Sequence, residues 1–419
     1  MSLLRRLWLL CLLLPACIAP VRAQGAFALK QGDRVVFYGD SITDQRLYTT
    51  FAETYVVTRF PRMNVTFVHS GWGGDRVTGG GGGPIDLRLK RDVITYRPTV
   101  MTIMLGMNDG SYRAFDQGIY DTYINGYKHI LQSVQTALPG LRVTVIQPSP
   151  FDDTTRAPGW DPGYNSVLVR YGDSIKDLAL QEKQTVADLN SPVVAMLVKA
   201  KESDATQAQK IIPDRVHPGP GGHLIMAEAL LKSWNAPATV AAVEIDAAGK
   251  RVANTSNATV RDLSVASGLT WTETDNALPM PINMSDPVVA LAVRSSDFVE
   301  ALDQEPLKVT GLTAAKYSLK IDGQEVGTFT PEQLAGGVNL ALLPTPMAKQ
   351  AAEVHQLTLQ HNNIHFTRWR MIEVPLQGQS YSHIRNATGG LDALEVDVVA
   401  AQRAAAQPKA HHYELTPQS

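Results

Sequence analysis

Short apolar segments alternate with longer segments of helical periodicity throughout the first half of this 419-residue chain. We predict strands at 34–38, 65–68, 100–105, 141–147 and 185–189. We predict helices at 47–60, 84–96, 120–138, 164–182, 193–199 and 221–234. Such alternation is typical of a parallel sheet covered by helices on both faces, and the continuously apolar third strand fits the centre of that sheet. The fold class is therefore predicted to be α/β.

The pattern changes after residue 237. Asp322-Gly323 is typical of a type I′ hairpin turn between two strands. We expect a domain with the parallel sheet at 24–237, a β-rich accessory domain with a C-terminal helix at 238–375, and a loop-rich tail at 376–419. The accessory domain can serve as a cap over a cleft or as a binding surface. Its predicted strands are 240–245, 259–263, 307–310, 317–321 and 326–329. Its predicted helix is 346–371.

The first 23 residues have the organisation of a secretory signal peptide. Two arginines precede an apolar run at 7–14, and small residues allow cleavage after Ala23. We therefore expect a secreted or periplasmic protein with no integral membrane segment in its mature form, since the apolar run is too short to span a membrane. The alternative is a lipoprotein anchored at Cys17, which follows a loose match to a lipoprotein box.

Cleavage after Ala23 would remove both cysteines, Cys11 and Cys17, and three of the 38 basic residues. The mature chain would then have neither a disulfide framework nor a cysteine nucleophile. Its 35 basic and 40 acidic residues would give a formal charge of −5, with no cluster of lysine or arginine. Such a charge does not favour binding to nucleic acid or to an anionic membrane, so we predict no nucleic-acid partner.

A strand runs directly into a tight turn and a helix at 35–43, which reads Val-Val-Phe-Tyr-Gly-Asp-Ser-Ile-Thr. Ser41 lies at this turn, where backbone N–H groups and a helix N-terminus can stabilise a developing anion. A hydroxyl in this position suits a nucleophile. The alternative is that Asp40 or Ser41 only caps the helix, which is the commoner role of such residues at a helix start.

Two further segments contain the partners that a serine nucleophile needs. Asp214 and His217 stand three residues apart in a loop bounded by prolines, so the carboxylate can orient an imidazole that takes the proton of Ser41. Asn108 follows the third strand, at the same edge of the sheet as Ser41. Its amide and the N–H groups of Ser41 and Gly74 are candidate donors to an oxyanion. Taken singly, each has an ordinary explanation, because a histidine is usually structural and Asn-Asp-Gly often forms only a turn.

A run of five glycines at 79–83 follows the second strand and lacks the spacing of a phosphate-binding loop. Because successive glycines are costly to order, we expect either a mobile gate or a loop pinned against its neighbours. Asp40, Trp72, Asp109 and Trp160 are candidate substrate-binding residues around the predicted site.

Other polar clusters carry weaker signals. Asp152-Asp153 can line the cleft or form a solvated acidic loop. His411-His412 lies in a polar tail, and we interpret it as incidental rather than as a metal site. The chain contains neither H-E-x-x-H nor G-x-S-x-G, so we predict no metal site and no α/β-hydrolase elbow.

Residues 34–235 resemble the SGNH (GDSL-type) hydrolase family. The resemblance implies a three-layer, flavodoxin-like α/β fold and hydrolysis of acyl esters without a metal or cofactor. It also implies that Ser41, His217 and Asp214 form a catalytic triad, and that Ser41, Gly74 and Asn108 donate in the oxyanion hole. It does not extend to residues 240–419. The matching blocks are Gly39-Asp40-Ser41-Ile42, with Ile in place of the usual Leu, Gly74 before Asp75, Gly106-Met107-Asn108-Asp109, and Asp214-x-x-His217-Pro218.

We therefore predict a secreted serine esterase that hydrolyses acyl esters, preferably acetyl esters of carbohydrate, through an acyl-enzyme. Secretion, a glycine-rich mouth, Trp72 and Trp160 as platforms for sugar rings, and a β-rich appendage favour a polysaccharide or small-molecule ester as substrate. The alternative enzyme is a lipid or aryl esterase or a lysophospholipase. The alternative of another class is a glycan-binding protein with an auxiliary or inactive hydrolase domain. No cofactor is expected, and the oligomeric state is open.

Overall fold

The structure, a computed structural model, describes residues 25–418. The predicted signal peptide, with its cleavage site at Ala23 and the alternative anchor at Cys17, lies outside these residues. Within 25–418, no helix is both long enough and apolar enough to cross a membrane. The described chain packs around two separate hydrophobic cores, one centred on each half of the sequence.

The first half of the chain alternates strands and helices, as its periodicity predicts. Its elements are β1 (Arg34–Gly39), α1 (Ser41–Asp44), α2 (Leu47–Arg59), β2 (Thr66–Gly71), β3 (Gly79–Gly80), β4 (Gly83–Pro84), α3 (Ile85–Asp92), β5 (Val100–Met104), α4 (Gln117–Ala137), β6 (Arg142–Gln147), α5 (Tyr164–Gln181), β7 (Thr185–Asp188), α6 (Ser191–Ser203), α7 (Ala205–Ala208) and α8 (Pro220–Ser233).

Five of these strands form one parallel sheet in the order β2-β1-β5-β6-β7. This is the flavodoxin-like order, in which the second strand precedes the first and the rest follow in sequence. The predicted α/β class is confirmed. β5 is buried along its whole length, and β1 is buried after its first residue. Because the strands are parallel, the loops that follow β1, β2 and β5 meet at one edge of the sheet.

The second half of the chain is rich in strands, as its sequence also predicts. A π-helical segment, Thr367–Glu373, continues the long helix Pro346–Phe366. The elements are β8 (Ala242–Asp246), β9 (Arg251–Ser256), β10 (Ala258–Val265), β11 (Leu269–Asp275), α9 (Pro287–Arg294), α10 (Phe298–Leu302), β12 (Pro306–Thr310), β13 (Lys316–Ile321), β14 (Gln324–Phe329), α11 (Pro331–Gly336), β15 (Val338–Asn339), α12 (Pro346–Phe366), α13 (Ser382–Ala405) and β16 (Ala410–Gln418).

These strands form two sheets. An antiparallel sheet has the order β10-β11-β16-β13-β14, and a second sheet has the order β15-β12-β8-β9 with β12 parallel to β8. The predicted hairpin joins β13 to β14 through Asp322 and Gly323, whose φ angles of 51° and 77° suit a type I′ turn. The rings of Trp271 and Tyr413 stack 5.0 Å apart in the core of this part.

The expected loop-rich tail at 376–419 is wrong, because the described part of it forms α13 and β16. Along β16, His411, Tyr413 and Leu415 are buried while their neighbours are more exposed, which is the alternation of a half-buried strand. The buried His411 Nδ1 lies 2.6 Å from Asp322 Oδ2, so this histidine joins β16 to the hairpin turn. The sequence did not reveal α13 because the helix is largely exposed, with Gln402 as its one buried residue, so no buried apolar face marks it.

The two halves of the chain are joined by extensive contacts. α9 and α10 pack on α8 and add Leu291, Phe298 and Leu302 to the core of the first half, so the chain crosses back over the predicted boundary at 237–238. α12 packs on α2 and β2. The buried carboxylate of Glu53 on α2 takes hydrogen bonds from α12 and α13, and these bonds tie the C-terminal helices to the first domain.

Candidate active site

Ser41 stands where β1 ends and α1 begins. The side chain of Asp40 caps α1, since its Oδ1 accepts a hydrogen bond from the N–H of Ile42 at 3.0 Å. The capping role therefore falls to Asp40, and the hydroxyl of Ser41 is free for another partner. Ser41 Oγ lies 2.8 Å from Nε2 of His217. Asp40 is thus the helix cap, and Ser41 is the candidate nucleophile.

A second hydrogen bond links His217 to a carboxylate. Nδ1 of His217 lies 2.6 Å from Asp214 Oδ2. The other oxygen of Asp214 accepts the backbone N–H groups of Val216 at 2.9 Å and of His217 at 2.7 Å. Partial burial alone would raise the pKa of Asp214, but these hydrogen bonds lower it. An ionised Asp214 holds the proton on Nδ1, which leaves the Nε2 lone pair facing Ser41.

A neighbouring loop braces the segment that contains Asp214 and His217. Asp152 is fully buried and caps its own turn, with Oδ1 accepting the N–H of Thr155 at 2.8 Å. Arg156 donates to the carbonyls of Ile212 at 2.9 Å and Pro213 at 3.0 Å. Asp152 therefore does not line a cleft, and it serves the loop geometry instead. The brace was not predicted, because it pairs a side chain with backbone carbonyls far along the chain.

The candidate oxyanion donors follow the two strands that flank β1. Gly74 lies after β2 with a φ of +76°, a conformation that favours glycine. Asn108 lies after β5, where its Nδ2 donates to the carbonyl of Asp75 at 3.1 Å and its Oδ1 accepts from the hydroxyl of Tyr112 at 3.0 Å. Both ends of the amide are therefore oriented, and Nδ2 retains a second hydrogen. This placement suits donors to an oxyanion.

Two predicted substrate-binding carboxylates are buried in structural roles. Asp40 caps α1, and burial raises its pKa to about 8. Oδ1 of Asp109 accepts the N–H of Val77 at 2.9 Å, and burial raises the pKa of Asp109 to about 7. Both side chains are more than nine-tenths buried, so they support the loops around Ser41 and do not present carboxylates to solvent.

Trp72 does not offer the predicted platform for a sugar ring, because this side chain is only 8% exposed. Its ring lies among the guanidinium groups of Arg88, Arg91 and Arg370. Trp160 is half-buried, and its ring centroid lies 6.5 Å from that of Tyr164. Of the two tryptophans, only Trp160 therefore has a free surface for a ligand.

The glycine run at 79–83 is pinned and is not a mobile gate. β3 pairs with β4 across it, and the carbonyl of Gly82 accepts from Arg91 Nη2 at 3.0 Å. A Cβ at Gly82 would lie 2.6 Å from Arg88 Cδ and 2.7 Å from Trp72 Cδ2. The close packing of this loop explains the need for a glycine at that position. Among residues 25–418, no group of three or more His, Cys, Asp or Glu side chains is arranged to hold a metal ion.

The first half of the chain is similar to known ester hydrolases. Residues 37–225 match the model of the GDSL-like lipase/acylhydrolase family. An acetylxylan esterase from Geobacillus stearothermophilus is 24% identical over 219 residues, which cover 48% of this chain and 93% of that protein. The crystal structure of Axe2, an acetylxylan esterase from the same organism, is 22% identical with a TM-score of 0.41, and the match covers 49% of this chain and 96% of that one.

A further solved structure resembles nearly the whole chain. A gut microbial diltiazem-metabolizing enzyme is 25% identical with a TM-score of 0.80, and the match covers 94% of this chain and 100% of that one. The β-rich second half is therefore shared with another enzyme, together with the parallel-sheet domain.

Over residues 37–225, this chain is similar to the SGNH (GDSL-type) hydrolase family, as its four sequence blocks indicate. It is accordingly a serine ester hydrolase, and its chemistry is the hydrolysis of acyl esters.

Proposed function

We propose that the protein is an exported acetylesterase that acts on acetylated carbohydrate through a Ser41–His217–Asp214 triad. The observation that carries the proposal is the unbroken chain of hydrogen bonds from Ser41 Oγ to His217 Nε2, at 2.8 Å, and from His217 Nδ1 to Asp214 Oδ2, at 2.6 Å. The similarity to an acetylxylan esterase supports the acetyl group and the carbohydrate alcohol. The signal-peptide pattern of the first 23 residues supports export.

The proposed mechanism begins with the attack of Ser41 Oγ on the ester carbonyl carbon, while His217 Nε2 takes the hydroxyl proton. The resulting oxyanion accepts hydrogen bonds from the N–H groups of Ser41 and Gly74 and from the amide of Asn108. The tetrahedral intermediate then expels the alcohol, which receives the proton from His217. Water then attacks the acyl-enzyme while His217 Nε2 takes a proton from it. Acetate leaves as His217 returns that proton to Ser41 Oγ.

Ester chain length tests the acyl part of this proposal. The mature protein should hydrolyse p-nitrophenyl acetate faster than the butyrate and much faster than the octanoate. It should also release acetate from acetylated xylo-oligosaccharides. Ser41→Ala should abolish both activities, whereas Ser111→Ala should retain them, because Ser111 lies in the loop after β5 and bonds only weakly to the Asp109 carbonyl at 3.4 Å.

Other results would contradict parts of the proposal. A preference for octanoate would replace the acetylesterase assignment by a lipid esterase. The resemblance to the diltiazem-metabolizing enzyme makes diltiazem a second test substrate. Hydrolysis of diltiazem with no acetate release from any sugar ester would show that the alcohol part of the substrate is not a carbohydrate. Binding of a glycan with no hydrolysis of any ester would favour the glycan-binding alternative.

A further inference from the structure

We infer that the π-helical segment Thr367–Glu373 is a positioning element of the oxyanion hole. The segment comes from the second half of the chain, yet it reaches the turn Trp72–Asp75 in the first domain, which contains Gly74. The inference rests on the proposed function, because Gly74 and Asn108 matter in this way only if they stabilise an oxyanion. It assigns a catalytic purpose to the C-terminal part of the chain.

A continuous set of buried polar contacts connects the segment to the turn. Trp369 Nε1 donates to Asp92 Oδ1 at 2.6 Å. The other oxygen of Asp92 accepts from Arg88 Nη1. Arg88 Nε in turn donates to Asp75 Oδ2 at 2.7 Å. Asp75 directly follows Gly74, and its carbonyl accepts the amide Nδ2 of Asn108 at 3.1 Å. Arg88 therefore binds Asp75, which follows Gly74 in the chain and accepts the hydrogen bond from Asn108.

These groups are held in a dry environment. Arg88, Asp92 and Asp75 are fully buried, and Trp369 is 2% exposed. Buried charges must be paired and hydrogen-bonded, and removing one partner leaves the others under-satisfied. Arg88 faces two carboxylates, so Asp92 needs the additional donors that Trp369 and Arg91 provide. Loss of the indole N–H therefore changes how Asp92 shares Arg88 with Asp75.

A second contact from the same segment reaches the other side of the turn. The guanidinium of Arg370 stacks on the ring of Trp72, and Trp369 meets that ring edge to face with centroids 5.8 Å apart. The next residue, Gly73, donates its N–H to Asp44 Oδ2 on α1 at 3.2 Å. The consecutive side chains of Trp369 and Arg370 can both meet the turn because the π-helix widens the backbone here, and such turns are common at functional sites.

The test compares Trp369→Phe with Trp271→Phe. The two variants are matched, because each removes an indole N–H from a buried carboxylate, at 2.6 Å to Asp92 and at 2.7 Å to Glu273. Only the first carboxylate connects to Gly74. We expect both variants to lower the thermal midpoint, and only Trp369→Phe to lower kcat on p-nitrophenyl acetate by about tenfold, with KM unchanged within about twofold. Complete loss of one oxyanion donor costs about 100-fold or more in kcat.

A second variant keeps the test decisive if Trp369→Phe does not fold. Arg370→Met removes the cation that stacks on the buried ring of Trp72 and should lower kcat in the same way. Equal kcat values for the Trp369, Arg370 and Trp271 variants and the wild type would overturn the inference, since a purely structural segment affects stability alone.

Asn108→Ala separates a failure of this inference from a failure of the proposed function. If Asn108→Ala or Ser41→Ala leaves kcat intact, the proposed function is wrong and the inference falls with it. If both abolish or strongly lower activity while Trp369→Phe matches Trp271→Phe, only the positioning role is refuted. Adding Trp369→Phe to Asn108→Ala should lower kcat by less than it does alone, because the two changes damage the same donor arrangement.

Discussion

The free energy of unfolding should fall as the pH rises above 7. Replacing His361 by glutamine should make this fall much smaller. Nδ1 of His361 lies 2.9 Å from Glu53 Oε1, and its Nε2 lies 3.1 Å from Glu395 Oε1. A neutral imidazole has only one N–H, so it cannot donate to both carboxylates. The contacts therefore require a buried imidazolium. Burial alone would lower the pKa of His361, but the two carboxylates raise it to about 10.

The sign and size of the effect follow from this bound proton. An unfolded histidine loses its proton near its ordinary pKa of about 6.5, whereas folded His361 keeps it to a pH of about 10. The stabilisation is therefore complete below about pH 6.5 and is lost as the pH rises toward 10. Between these limits one excess proton makes the free energy of unfolding fall by about 1.4 kcal/mol per pH unit. The change from pH 7 to pH 9 is about 3 kcal/mol.

The assay is denaturant unfolding of the wild type and of His361→Gln at pH 7, 8 and 9, with far-UV circular dichroism as the signal. The stability difference between the two proteins should shrink by about 1.4 kcal/mol per pH unit, because the titrating groups that do not contact His361 contribute equally to both. His355→Gln is the matched control on the same helix. Burial lowers the pKa of His355 to about 4, so its difference from the wild type should not change with pH. A constant difference for His361→Gln would refute the buried imidazolium.

Three other changes have defined outcomes. Asp214→Asn should lower kcat by about 10³- to 10⁴-fold in steady-state kinetics. The two backbone N–H groups that Oδ1 accepts would keep the amide oxygen of the asparagine on their side. Its NH₂ group would then face Nδ1 of His217 and impose the wrong imidazole tautomer. Glu305→Gln should raise stability more at pH 8 than at pH 5, because burial beside other carboxylates raises the pKa of Glu305, so the stability of the wild type falls as pH rises; unfolding at both pH values tests this. Gly71→Ala should abolish activity and lower the thermal midpoint, because its Cβ would lie 2.2 Å from the Asp44 backbone nitrogen, whereas Gly389→Ala, with nothing within 4 Å, should do neither.

The fold of the first domain was predictable because its signals are local. Each of its five strands in the parallel sheet is a short apolar run bounded by a turn, and the helices show clear periodicity. The order of the elements then places the residues after β1 and β5 at one edge of the sheet. The sequence alone therefore places Ser41 and Asn108 near each other. The pairing of His217 with Ser41 was anticipated from residue types and spacing, and the structure brings the two side chains into contact.

The remainder depends on contacts between distant parts of the chain. The sequence predicts Trp72 as a platform for sugar rings, but the ring of Trp72 is covered by Arg370, which lies nearly 300 residues further on. The contact between Trp369 and Asp92 leaves no trace in the local sequence of either residue. Helix α13 lies on the surface with few buried side chains, so neither its period nor its composition separated it from a loop. Tertiary packing decided each of these cases.

The position of β16 in the middle of its sheet has a consequence for biosynthesis. β16 pairs with β11 on one side and with β13 on the other, so the hairpins β10–β11 and β13–β14 remain unjoined until the ribosome has released residues 410–418. The parallel-sheet domain needs no residue after α10 for its core and can fold first, because domains generally fold as units during synthesis. In the interval, two hairpins with open edges are exposed to pairing with other chains. Binding by a chaperone would be most useful to a nascent chain at this stage.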